Sequence, residues 1–256
     1  MKELDTEKLL EGTSKVEWCK LQYSKDLQML AQLIKKFDSD RIFQNIDTTL
    51  NIASNKIRLP NGDVLSVYVP DVELILKKKI SGTIPHDLKS ITIFLEVKSE
   101  FDLSKNVDTQ DRILDTYCFQ MEIKGINEDG YHFSAWHLDK DIRHKKANSP
   151  KYEHPLYHFQ VGGNRLEDKV ISGAVFIGAP RLPHPPMDIV LGIHFLMKNF
   201  CSTKDYPFVT KLFNNPSYQD IVRRAKERLF NPYFKAFLNG NVHEDYTIEN
   251  VFPMAV

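Results

Sequence analysis

Cysteine is scarce in this chain: 3 in 256 residues, Cys19, Cys118 and Cys201, far apart and without paired spacing. That excludes a disulfide framework and a zinc ribbon, and it fits a reducing compartment. No apolar run is long enough to cross a bilayer, and Met1–Glu11 (MKELDTEKLLE) is charged where a secretory leader would be greasy, so a cytoplasmic protein without membrane attachment is expected. Net charge is also missing, because 34 basic and 34 acidic residues cancel. A protein held to nucleic acid by bulk phosphate neutralisation would be basic, so any such binding must come from a local surface. Glycine-rich phosphate loops, Gly-x-Ser-x-Gly, His-Glu-x-x-His and cysteine–histidine dyads are absent as well, which removes the commonest nucleotide, serine-hydrolase, zinc-protease and thiol chemistries.

What is present is a change of period along the chain. Thr6 can cap a short EKLLE helix, and Ser24 is placed to open a longer one in which Leu27, Leu30, Ile34 and Phe37 recur at helical spacing. The segment 51–57 is ambiguous, and Pro60-Asn61-Gly62-Asp63 reads as a turn. From Val64 the pattern alternates. VLSVYVPDVELILKKK, ITIFLEVKSEF, YCFQMEIKGI and YHFSAWHL predict strands, and LYHFQVG a fifth, with Lys105–Asp115 as a charged connection. Four prolines in Ala179–Pro186 exclude a helix interior or a central strand there. Then MDIVLGIHFLMKNF, apolar nearly all round, predicts a buried helix, and Asn215-Pro216 opens a last one that Asn231-Pro232 should interrupt. The expectation is a single α+β domain over residues 1–256: helical in 1–50, an antiparallel β-meander of about five strands in 64–163, and two C-terminal helices in 186–238 packed on it.

The densest chemistry lies in Tyr131–Gly163, which holds His132, His137, His144, His154 and His158 with Trp136 and Asp139. Alternation puts His132 and Trp136 on one strand face and His137 on the other, while His154 and His158 look the same way. The preferred candidates are His154, His158, His132 and Asp139. With a third donor such as Asp139, His132 or His137, an imidazole pair can bind a transition metal. Alternatively one imidazole acts as base and a protonated one as acid, which cleaves RNA through its own 2′-hydroxyl without metal. The plain alternative is that these rings are packed and hydrogen-bonded.

The sequence of a Tyr-x-Phe-x-x-Trp strand (Tyr131, Phe133, Trp136), Asp139, then His154, Pro155, His158 and Gly162 resembles a group of bacterial proteins that includes the TumE-type toxins of toxin–antitoxin pairs and related families, some found beside phage-defence genes. Arg181, Pro183, Pro186 and Asn199-Phe200 extend the similarity, which covers roughly residues 117–200. The resemblance implies a small β-meander with flanking helices, a bacterial cytoplasmic setting and a protein partner, either an antitoxin or a defence-complex subunit. It brings no reaction with it.

A second constellation is Asp71 on one strand with Glu96 and Lys98 on the next, similar to the Pro-Asp…Glu-x-Lys pattern of a large nuclease superfamily. Asp71 and Glu96 would hold Mg²⁺ or Mn²⁺, with Lys98 catalytic toward water and the developing phosphorane. The competing reading is a solvated ladder of charges, since Glu122-Ile123-Lys124 repeats the motif in the same chain. Arg223, Arg224, Lys226 and Arg228 read as the wet side of the last helix, or as a phosphate surface. Together these signals predict a toxin or anti-phage defence protein that acts on nucleic acid as a nuclease. The alternative is a non-enzymatic accessory module of such a complex.

Overall fold

The computed structural model describes residues 15–58, 62–102, 114–141, 154–167, 169, 181–235 and 246–253. The EKLLE helix, the Pro60-Asn61 part of the turn, most of Lys105–Asp115 and His144 lie outside them.

Strands β1 (Val64–Leu76), β2 (Ser90–Asp102), β3 (Leu114–Asn127), β4 (Gly130–Lys140), β5 (Tyr157–Val161) and β6 (Leu182–Pro183) form one sheet in sequential order. Every pairing is antiparallel, so the meander is six strands rather than five. The sixth is the two-residue pairing of Leu182 and Pro183 at the margin, which is where proline can be tolerated. Around the sheet run α1 (Lys15–Phe37), α2 (Ile46–Ile57), α3 (Ile189–Phe200), α4 (Phe208–Phe213), α5 (Pro216–Lys235) and α6 (Ile248–Val251). None of the described helices is long and apolar enough to cross a membrane.

Alternation divides the sheet into two unlike faces. Ile93, Leu95 and Val97 of β2, Phe119 and Met121 of β3 and Leu138 of β4 are buried under the helices and join one core with α1 and α3. Each such side chain contributes roughly 1.5–3 kcal/mol of burial. Gly192 lets α3 lie close on this face, since a Cβ there would meet Leu95 and Phe119 at 3.0 Å. In β1 the buried set is Leu65, Val67 and Val69, then Val72, Leu74 and Leu76. A bulge between Val69 and Val72 changes the phase, so both halves of the strand turn their apolar side inward. Asn45 spans it, donating from Nδ2 to Asp71 O (2.8 Å) and accepting at Oδ1 from Glu73 N (2.9 Å). The other face of the sheet carries Tyr68, Asp71, Glu96, Lys98, Cys118, Gln120, Glu122, His137, Asp139, His158 and Gln160, by period two along each strand.

Several helix expectations are corrected. Ser24 does not open α1 but sits inside it, its hydroxyl 2.7 Å from that of Ser54 on α2, where the buried pair satisfies itself. The ambiguous 51–57 segment is the second half of α2. Pro232 does not end the last helix: α5 runs through it to Lys235, with Pro232 and Tyr233 buried. Tertiary packing there outweighs the hydrogen bond that proline removes. Asp188 caps α3 by accepting from Leu191 N at 3.0 Å. It also receives Tyr23 Oη at 3.0 Å and the Arg228 guanidinium at 2.5 Å, while Arg224 grips Asp26 with two bonds of 3.0 and 2.6 Å. Two of the four supposedly wet basic residues are therefore anchors between α5, α1 and the start of α3.

His194 on α3 is 2.8 Å from Tyr218 Oη through Nδ1, and its ring packs on Phe213. Burial, with Lys226 and Lys198 nearby, pushes its pKa down from 6.5 to about 4. The unfolded chain thus binds a proton that the folded one refuses. This contribution to stability is fully present above about pH 6.5 and is lost as pH falls toward about 4. Urea titrations of wild type and His194→Gln across this window should show a shallower pH slope for the variant. Equal slopes would show that the ring is not held neutral.

Candidate functional site: a cleft on the open sheet face

Registers place the candidate residues in two adjacent rows on the open face. One row crosses the sheet as Tyr68, Lys98, Cys118, Asp139 and His158, each the direct partner of the next. The neighbouring row is Glu96, Gln120, His137 and Gln160, with Asp71 beside Glu96 at the bulge. The two constellations thus belong to one surface. Glu96 and His137 lie two strands apart, about 10 Å, and Lys98 is as far from Asp139.

Around Asp139 the face opens into a cleft of about 540 Å³ lined by His137, Asp139, His158, Gln160, Gly163 and Arg181 among others. His137 Nδ1 is 3.1 Å from Gly162 O and its Nε2 is 3.2 Å from Asp139 Oδ2, so both ring nitrogens face an oxygen. His158 directs Nδ1 at Pro155 O (3.2 Å), which leaves Nε2 as the nitrogen available to the cleft. Burial lowers the pKa of His158, an effect that the Pro155 carbonyl and Asp139 oppose and Arg181 and His154 reinforce. Asp139 is the cross-strand partner of His158, and His137 is the diagonal neighbour, about 7–8 Å away between Cα atoms.

The chain leaves β5 through Gly162 and Gly163, with φ of +99° and +95°, a left-handed conformation that suits glycine. A Cβ on Gly163 would lie 2.7 Å from His137 Nδ1, so the strap can pass over this ring only without a side chain. The strap then delivers Arg165 onto the carboxylates. Its guanidinium bonds Asp71 Oδ1 at 2.8 Å, Gln120 Oε1 at 3.1 Å and Glu96 Oε2, with Glu122 at 3.8 Å. Lys169 follows at 3.4 Å from Glu122. The residues named for Mg²⁺ or Mn²⁺ therefore hold a guanidinium between them. Among the described residues no group of three or more His, Cys, Asp or Glu is arranged to hold an ion.

The predicted residues separate as follows. Asp139 and His158 meet at the cleft. His154 is close to His158, with ring centroids 5.9 Å apart, but it is buried and does not line the opening. His132 leaves the group entirely. It points to the helix-side face, bonds Asn127 Oδ1 through Nε2 at 3.0 Å, and lies seven residues, about 23 Å, along β4 from Asp139. Lys98 shares a face with Glu96 as expected, and its Nζ is 3.9 Å from Glu100. His137 belongs in the set because alternation already aligned it with Asp139. Arg165 had no sequence signal beyond the two glycines that turn the chain. Cys118 and Cys201 are packed thiols, pushed up by burial to about 11 and about 12.

Comparison with protein-family models, with curated proteins and with solved structures finds no match to this chain.

Proposed function

We propose that this protein cleaves RNA without a metal, as a nuclease of the bacterial toxin or anti-phage type, with His158 and His137 as its acid–base pair. The observation that carries the reading is that both imidazoles border one cleft with Asp139 between them. His158 Nε2 takes the proton of a 2′-hydroxyl as that oxygen attacks the adjacent phosphorus. The 5′-oxygen leaves with the Nε2 proton that His137 otherwise holds toward Asp139, giving a 2′,3′-cyclic phosphate and a 5′-hydroxyl. Asp139, 3.2 Å from His137 Nε2, orients that ring, and Arg181 on the cleft lining faces the phosphorane oxygens. Lys98 and the exposed Tyr68, farther along the row, contact the flanking substrate as phosphate anchor and base-stacking surface. The Arg165 clamp on Asp71 and Glu96 favours this reading over the metal-dependent one.

The test is purified protein with end-labelled RNA and DNA, each with EDTA, Mg²⁺ or Mn²⁺. RNA cut in EDTA to cyclic-phosphate ends supports the proposal. Cleavage that needs a divalent ion and is lost in Glu96→Gln overturns it in favour of the carboxylates. The charge balance of the chain favours a second reading, a non-enzymatic accessory module of a defence or toxin–antitoxin complex. No cleavage under any of these conditions selects that module.

A further inference from the structure

At the opposite end of β1, eight residues or about 27 Å beyond Tyr68, the turn into β2 folds around a cavity of about 300 Å³. Its charged lining is of one sign: Lys77, Lys78, Lys79 and Lys89, with His86, and no aspartate or glutamate. Leu76, Ile80, Leu88 and Ile91 make an apolar floor. Lysine stems can lie along such a floor while their ammonium groups stay in water. Two acids stand nearby: Glu128 pairs with Lys89 at 3.2 Å, and Asp87, which accepts from Asn127 Nδ2 at 3.1 and 3.0 Å, feels the charge of Lys79. In a chain with no net charge, this turn gathers four lysines against two acids, a local excess of positive charge that an anion relieves.

We propose that this pocket binds an oligophosphate group, a di- or triphosphate carried by a nucleotide or by the 5′ end of an RNA. A single carboxylate brings one charge, whereas a chain of linked phosphates places several inside one small volume. The cavity is at the lower end of small-ligand sites, which suits the phosphate moiety and leaves any attached nucleoside outside. The Ser81 and Ser90 side chains border the same space and add neutral donors. The pocket shares no residue with the histidine cleft, so the proposal does not depend on the nuclease reading.

The probe is inorganic tripolyphosphate titrated into the intact protein by calorimetry, with sulfate as a single-anion control. Saturable binding is expected, with a dissociation constant on the order of 10 μM that weakens as salt is raised. Lys77→Gln with Lys79→Gln should weaken it about tenfold or more, while Lys56→Gln with Lys211→Gln, exposed lysines elsewhere, should leave it unchanged. ATP and a 5′-triphosphorylated oligoribonucleotide, set against the same RNA with a 5′-hydroxyl, then separate the two sources. Equal affinity for sulfate, indifference to the Lys77 and Lys79 substitutions, or no saturable binding would each overturn the proposal.

Discussion

Arg228→Ala should be the most destabilising single substitution on the helical side of this protein, lowering stability by roughly 3–5 kcal/mol. The guanidinium it removes is the partner of Asp188, which is 0% exposed, and Arg228 also covers the ring of Tyr23 at 4.3 Å. Alanine leaves a carboxylate in the core with the Tyr23 hydroxyl and the α3 cap as its remaining partners. For a chain of this length the loss corresponds to a fall in Tm of roughly 6–20 °C. Arg224→Ala is the internal control. Its partner Asp26 is likewise buried, but Asp26 keeps the Gln22 amide at 2.9 Å and caps no helix, so the loss should be smaller. Thermal melts of the two variants decide it. If Arg228→Ala melts within a few degrees of wild type, Asp188 is not carrying a buried charge.

His158→Gln should lower RNA cleavage roughly 10²–10⁴-fold, with the near-ultraviolet spectrum of the fold preserved. As the base His158 must be neutral, and burial lowers its pKa below the usual 6.5. The rate kcat/KM therefore rises with pH along a limb centred below 6.5. A limb centred above that value would mean another group is the base. Asp139→Asn tests the middle of the cleft by a different readout: it removes the carboxylate 3.2 Å from His137 Nε2 that orients the ring, so kcat should fall while KM is retained.

Much of the architecture was legible because the sheet is half buried. Ile93, Leu95 and Val97 alternate with Phe94, Glu96 and Lys98, and that period fixed both the strand and the face on which Glu96 and Lys98 stand. The helix ends were less legible, because a serine fit to cap a helix, Ser24, can equally find a buried partner from another helix, and a proline such as Pro232 can be carried by packing. Basic residues with helical spacing do not announce that Arg224 and Arg228 point inward, since the carboxylates that receive them lie 198 and 40 residues away. The candidate cleft was half visible. Alternation along β4 by itself separates His132 from Asp139 and aligns His137 with it. That Arg165 would reach back 94 residues to Asp71 depends on the path of a strap, and no local pattern encodes that.

The bulge in β1 also limits how this protein can assemble. Beyond it the outer side of the strand is already taken by the chain itself: Ile75 N bonds Ile42 O at 2.8 Å, Gln44 N bonds Glu73 O at 3.0 Å, and Asn45 bonds Asp71 O and Glu73 N. A partner strand adding to this margin could form a ladder only along Val64–Val69, at most about six residues and thus a short contact. Along the rest of this margin the chain's own bonds, those of the Asn45 side chain among them, stand where a second sheet would have to pair.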